Sequence, residues 1–136
     1  MGTITMRFST ILIVFLVVAA MNPAFCGQQR RSVEVRIGGD DGYTLRLRDA
    51  LERAISRSPN FRLCSGKMRC SLLITIPHSV KWKRIGVRTQ ISYDVEFSTI
   101  DAKILEKSNG SCWEDDLDTC TASILRIATD VTPKIH

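Results

Sequence analysis

The chain has 136 residues, a formal net charge of +5 and a hydrophobic fraction of 44%. This length suits one domain with a modest core and excludes an assembly of several domains. A positive charge of this size bears on the partners that the protein attracts and does not define its fold.

The amino terminus has the layout of a secretory signal. Residues 11–20 form an uncharged apolar run after a single Arg7, and the run is too short for an ordinary transmembrane helix. Ala24 and Cys26 place small residues at the two positions that a signal peptidase inspects. We therefore expect a cleaved signal over residues 1–26 and a periplasmic or secreted protein. The alternatives are a lipoprotein anchored through Cys26 and a retained anchor.

The mature chain, residues 27–136, is predicted to be a single α/β domain with a loose leader over residues 27–32. Four cysteines remain in it, and an even number in an exported chain favours two disulfides. Of the three possible connectivities we expect the local one, which pairs Cys64 with Cys70 and Cys112 with Cys120. The alternative is a zinc site, against which the spacing argues, because paired zinc ligands usually stand closer together.

The charges are divided unevenly along the mature chain. Residues 27–90 carry fourteen Lys and Arg against five Asp and Glu, whereas residues 91–136 carry four against nine. This asymmetry favours an anionic partner for the first half. The alternative is that the two halves neutralise each other in the folded protein.

The first elements after the leader are a strand and an amphipathic helix. Residues 32–37 alternate as a strand does, and Asp41 follows as a candidate helix cap. Residues 43–58 then repeat with a period near 3.6, and Pro59 ends the helix. The predicted apolar face consists of Leu47, Ala50, Leu51, Ala54 and Ile55.

The middle of the chain is predicted to form the sheet. Residues 61–64 form a short strand, and residues 71–76 are apolar on both faces, so they belong near the centre of the sheet. Residues 77–84 are predicted to be a connecting loop. Residues 85–97 alternate between apolar and polar positions over thirteen residues, which predicts one long strand with one dry and one wet face.

The last third of the chain is predicted to contain a further strand and a helix. Residues 103–107 return as a strand, and Asn109-Gly110 is typical of a tight turn. Asn109-Gly110-Ser111 is also a glycosylation sequon in a eukaryotic host. The acids Glu114, Asp115, Asp116 and Asp118 favour a helix start, with a hard-cation site as the alternative. The predicted buried stripe of this helix is Leu117, Cys120, Thr121, Ile124, Ile127, Ala128 and Val131.

These elements predict an α+β fold: a mostly antiparallel sheet of four to five strands with two helices on one face, of the β-α-β-β-β-α type, and two disulfides. Three features of the chain recur together in a known group of proteins: Leu51, Ala54 and Ile55 with residues 58–63, the apolar residues 72–76, and a hairpin through Asp101 to Ile104 and Leu105. In these features the chain resembles the domain shared by the lipopolysaccharide-assembly lipoprotein, the curli-secretion lipoprotein and the amino-terminal domain of the propeller protein of the Tol system. The resemblance implies a binding or assembly role at the bacterial envelope and no catalytic residues.

The segment that most favours binding is a group of basic residues around an indole, namely Lys81, Trp82, Lys83, Arg84 and, further along, Arg88. Cations attract anionic groups, and a tryptophan supplies stacking or interfacial burial. In an exported protein this pattern favours lipid headgroups, lipopolysaccharide or an acidic envelope protein over nucleic acid. The alternative is a solvated loop whose Trp82 folds back onto the core.

Catalysis is not expected. His78 has no acid or nucleophile beside it in the sequence, His136 is the last residue, and the cysteines are expected to be paired. We expect no metal, no cofactor and no integral membrane segment. The sequence therefore favours an exported, non-enzymatic binding or assembly protein of the periplasm or cell envelope. The alternative is a secreted inhibitor or effector that presents a disulfide-stiffened loop to a partner enzyme.

Overall fold

A computed structural model describes residues 29–64 and 69–134. The predicted signal peptide, with Cys26, lies outside the described residues, and so does most of the short loop between Cys64 and Cys70. Within the described part the chain forms six strands and two helices. These are β1 (Arg31–Ile37), α1 (Gly42–Arg57), β2 (Phe61–Leu63), β3 (Leu72–Ile76), β4 (Lys81–Ile85), β5 (Arg88–Ser98), β6 (Ile104–Trp113) and α2 (Leu117–Val131), which a short 3-10 turn, Thr132–Lys134, follows.

The six strands form one mixed sheet. β1 lies between β2 and β3 and is parallel to both, whereas β3, β4 and β6 are antiparallel to β5. β3 and β4 follow each other along one edge of β5, and β6 pairs along the other edge. The predicted fold class is therefore confirmed, with a sheet that is mixed and has six strands.

Both helices pack on one face of this sheet. α1 begins at the predicted cap, because Asp41 Oδ2 accepts a hydrogen bond from the Thr44 amide at 3.2 Å. The predicted face of α1 is buried or half-buried, and the stripe of α2 likewise lies against the sheet. On the sheet side, β5 contributes four alternate buried residues to the core: Ile91, Tyr93, Val95 and Phe97. The other face of the sheet, here called the open face, carries no helix within residues 29–64 and 69–134.

The prediction of one strand over residues 85–97 is wrong at its start. Ile85 ends β4, the chain turns at Gly86 and Val87, and β5 begins at Arg88. Gly86 has a φ of 63°, which suits the first central residue of a two-residue hairpin turn. The alternating pattern runs through this turn unbroken, so alternation alone does not reveal it. The predicted loop over residues 77–84 accordingly contains a strand, β4.

The predicted turn at Asn109-Gly110 is also wrong. Both residues lie inside β6, where Asn109 pairs with Asp94 and Gly110 pairs with Tyr93. The chain reverses between Ser98 and Ile104, at the predicted hairpin through Asp101, and β6 then continues through Asn109 and Gly110 to Trp113. Gly110 serves a different purpose in the strand, because its missing side chain leaves room for the ring of Tyr93.

The predicted disulfide pairing is present in the structure. Cys64 is bonded to Cys70 and Cys112 to Cys120, each pair with its Cα atoms 5.6 Å apart. The second bridge joins β6 to α2 beneath the helices, where both cysteines are buried. It therefore fastens the sheet to the helix layer and does not stiffen a projecting loop.

Candidate functional site

The segment predicted to bind a partner forms a β-hairpin, residues 81–88, which we call the basic hairpin. It consists of β4, the turn at Gly86 and Val87, and the first residue of β5. Every residue of the basic hairpin is exposed. Three of its exposed side chains are large and apolar: Trp82 is 58% exposed, Ile85 45% and Val87 90%. Exposed apolar residues grouped in this way point to an interaction surface.

The pleat of β4 divides the predicted binding residues between the two faces of the hairpin. Trp82 lies opposite the buried Ile91, so Trp82 and Arg84 point to the helix side. Lys81 and Lys83 alternate with them and lie on the open face. The five predicted residues therefore surround the strand instead of forming one flat patch.

Trp82 is held against the beginning of α1. Its ring centroid lies 5.6 Å from that of Tyr43, with the ring planes tilted by 46°, a favourable arrangement for an aromatic pair. Trp82 nevertheless stays more than half exposed. The tryptophan is thus fixed in orientation on one side and available to a partner on the other. Sequence reasoning missed Tyr43, although its position just after the helix cap marks it as close to the sheet.

Arg88 is occupied within the protein. Its guanidinium lies 4.3 Å from the centre of the Trp113 ring and makes two hydrogen bonds to Asp115, from Nη2 at 2.7 Å and from Nε at 3.3 Å. The hydrogen bonds from Arg88 hold the pKa of the Asp115 carboxyl below its usual value, and Asp115 in turn raises the pKa of Arg88. Of the five predicted residues, Arg88 therefore acts in the fold and is the least available to a ligand.

An internal ion pair distinguishes Arg88 from the other three cations of the hairpin, Lys81, Lys83 and Arg84. None of them takes part in an ion pair with any residue that the structure describes. The sequence explains this in part, because no Asp or Glu occurs between Glu52 and Asp94. The basic hairpin therefore presents three cations that no acid in the described part of the chain neutralises.

The acids at the start of α2 neutralise other arginines. Glu114 forms an ion pair with Arg46 of α1, and Asp115 pairs with Arg88, while Asp116 accepts a hydrogen bond from the Thr119 hydroxyl at 2.8 Å. These contacts join the basic and acidic halves of the chain, but they leave the basic hairpin unpaired. Within residues 29–64 and 69–134 no three His, Cys, Asp or Glu side chains are grouped so that they could hold a metal ion.

A shallow polar depression lies on the open face beside the basic hairpin. It is about 290 Å³ in volume, and its lining includes His78, Lys81, Ser92, Asp94, Asn109 and Ser111. His78 Nε2 lies 2.8 Å from Asp94 Oδ2, and both side chains are about half exposed. The sequence did not reveal this pair, because sixteen positions separate two residues that the sheet brings together.

Comparisons with known proteins show a shared fold without a close relative. No family model matches the sequence, and no curated protein matches it. The structure is similar to protein XCC0632 from Xanthomonas campestris, of the family DUF330, with a TM-score of 0.60 and 11% identity over 83% of this chain and 91% of that one. At this identity the similarity concerns the fold alone.

Two further solved structures from Acinetobacter baumannii are similar more weakly. TolB has a TM-score of 0.46 and 11% identity over 71% of this chain and 27% of that one. A minor lipoprotein has a TM-score of 0.45 and 8% identity over 80% and 92%. In the part of the chain that the structure describes, no helix is long and apolar enough to cross a membrane.

Proposed function

We propose that this chain is an exported, non-enzymatic binding module of the bacterial cell envelope, and that it recognises an anionic component of the envelope through the basic hairpin. The observation that carries the proposal is the unpaired state of Lys81, Lys83 and Arg84 on a strand that is exposed along its whole length. A cation without an internal partner retains its full attraction for an external anion.

Export is supported by the cysteines. Both disulfides are formed in the folded chain, and disulfides persist in the periplasm and outside the cell but rarely in the cytosol. The apolar run near the amino terminus and the sequence resemblance to envelope modules favour the same compartment.

A binding role is supported over catalysis by the state of the reactive groups. All four cysteines of the predicted mature chain lie in disulfides, so none is a nucleophile in the oxidised protein. The ring of His78 is hydrogen-bonded to Asp94, and no serine hydroxyl among the described residues is bonded to it. The bridge between Cys112 and Cys120 does not support the alternative of an inhibitory loop, because both cysteines are buried and the bridge stiffens no exposed loop.

The proposal is tested by removing the three unpaired charges. The variant K81Q/K83Q/R84Q keeps the side-chain lengths close to those of the wild type, and R53Q/R57Q/R62Q serves as a matched control because its three arginines are exposed and make no ion pair among the described residues. Two probes are used, phosphatidylglycerol vesicles and polyglutamate. Circular dichroism verifies that both variants fold.

We expect the hairpin variant to lose about 100-fold in affinity for the vesicles, because each cation near an anionic membrane contributes about 1 kcal/mol. The control variant should lose less than about threefold, since its charges lie away from the surface in contact. Equal losses in the two variants would contradict the proposal, and so would a wild-type protein that binds neither probe.

A further inference from the structure

The chemistry of the hairpin turn points to a more specific partner. Resting on the proposed function, we propose that the anionic component is a lipid bilayer surface and that Ile85 and Val87 at the turn enter it. The hairpin then acts as a wedge whose apolar end lies among the lipid chains while its cations contact the headgroups.

The order of side chains along the hairpin fits this arrangement. The end of the hairpin consists of Ile85 and the two turn residues Gly86 and Val87, and Val87 is 90% exposed. Arg84 and Lys83 lie two and three residues before Gly86 on β4, which places them roughly 7–10 Å behind the end of the hairpin at the usual rise of a strand. Apolar groups of peripheral proteins commonly enter the interface by about 5–10 Å. The cations therefore lie near the level of the phosphates when the turn is inserted.

Trp82 adds a second interfacial group. It lies one residue behind Lys83, and the residue is 58% exposed although its ring lies against that of Tyr43. Tryptophan is enriched at the boundary between headgroups and lipid chains, because its ring is apolar and its N–H finds polar partners there. Its position predicts contact with the headgroup layer.

An acidic protein partner accounts for fewer of these features. β4 pairs with β5 on one side only, so a partner strand could add to its free edge and meet the cations. Such a strand would leave Val87 in water, because Val87 lies in the turn beyond the paired residues. A second copy of this chain, added through β4 on both sides, would bring like charges together across the new pair. A bilayer offers anionic headgroups to the cations and an apolar interior to the turn, so it accounts for both features.

The test separates insertion from charge attraction. In I85S/V87S the end of the hairpin loses its apolar side chains, and the hairpin keeps all its cations. I100S/I104S is a control because Ile100 and Ile104 are about as exposed as Ile85 and lie near the opposite end of β5. Both variants are measured with phosphatidylglycerol vesicles and with polyglutamate. In a W113F background Trp82 is the one remaining tryptophan, so its emission reports on the hairpin alone.

We expect I85S/V87S to bind the vesicles about tenfold more weakly, because burial of one or two apolar side chains is lost, and to bind polyglutamate as the wild type does. The control should match the wild type with both probes. The emission of Trp82 should shift to shorter wavelength when vesicles are added. Three results would each overturn insertion: unchanged vesicle binding by I85S/V87S, an unchanged emission of Trp82, or tighter binding of polyglutamate than of vesicles. The last of these would indicate an acidic protein as the partner. None of these results depends on the loss in K81Q/K83Q/R84Q, so insertion can fail while the proposed function stands.

Discussion

Tyr93 lies directly opposite Gly110 in the pair of β5 and β6, and its ring occupies the space that a side chain at position 110 would need. A Cβ atom placed on Gly110 would lie 2.8 Å from Cζ of Tyr93, which is closer than such atoms approach in proteins. Tyr93 is itself 4% exposed beneath α2. The glycine is therefore a requirement of the packing at this point of the sheet.

The first prediction concerns this pair. Gly110→Ala should lower the free energy of unfolding by about 1–3 kcal/mol, because the added methyl group forces the ring of Tyr93 to move in a close-packed layer. Gly42→Ala is the control, since a Cβ atom at Gly42 meets nothing within 4 Å, and it should leave the stability unchanged or raise it by up to about 1 kcal/mol. Urea unfolding measures both. A Gly110→Ala protein as stable as the wild type would show that the ring moves without cost.

The same pair shows where sequence reasoning fails. Asn-Gly is typical of a tight hairpin turn, and nothing near it in the sequence indicates that a tyrosine seventeen positions before Gly110 will lie across from it. The alternating pattern of β5 did predict which of its residues are buried, since one face of the strand packs on the helices. Local sequence patterns thus predicted which face of β5 is buried in the core. They did not predict that Tyr93 pairs with Gly110, which only the structure shows.

A second prediction concerns the contact between the start of α1 and the segment before β4. The Thr44 hydroxyl donates to Asp41 Oδ1 at 2.6 Å and accepts a hydrogen bond from the buried Val80 amide at 3.0 Å. Thr44→Val keeps the shape and removes the acceptor, which should cost about 1–3 kcal/mol. Amide hydrogen exchange at Val80 should be faster in this variant. Thr44→Ser keeps the hydroxyl and should retain the slow exchange; equally fast exchange in both variants would refute the role of this bond.

A third prediction concerns alkaline pH. Burial raises the pKa of the Tyr93 phenol, against smaller opposing effects of a hydrogen bond with Ser123 and the charge of Arg126. The unfolded chain releases this proton at about pH 10, while the folded chain still retains it. The free energy of unfolding should therefore fall as the pH rises above this value. In Tyr93→Phe this contribution is absent, so its stability should fall less than that of the wild type between pH 8 and pH 11. Parallel decreases in the two proteins would rule out this contribution.

A fourth prediction compares the two disulfides. The sequence separations are 6 and 8, so the chain-entropy effect of each bridge is similar, about 2–3 kcal/mol. The bridge between Cys112 and Cys120 also fastens β6 to α2 within the core. C112A/C120A should therefore lose more stability than C64A/C70A in urea unfolding. The opposite order would mean that the short loop at Cys64 matters more to the fold than the contact between sheet and helix.

The binding residues were predicted as a set, but the sequence could not divide them by role. No ion pair among the described residues involves Lys81, Lys83 or Arg84, and no acid occurs over this part of the sequence. Arg88 belongs to the same basic run and yet pairs with Asp115, twenty-seven positions away. Only the three-dimensional neighbourhood distinguishes a cation that holds the fold from one that is free to bind.

The central claim is that the protein meets an anionic surface with the basic hairpin. Amide chemical shifts, recorded by NMR as phosphatidylglycerol bicelles are added, test it most directly because they show which residues lie at the contact. We predict that the largest changes fall within residues 81–88, with little change on the exposed faces of α1 and α2. Largest changes on the helices, or at Ile100 and Ile104, would contradict the claim.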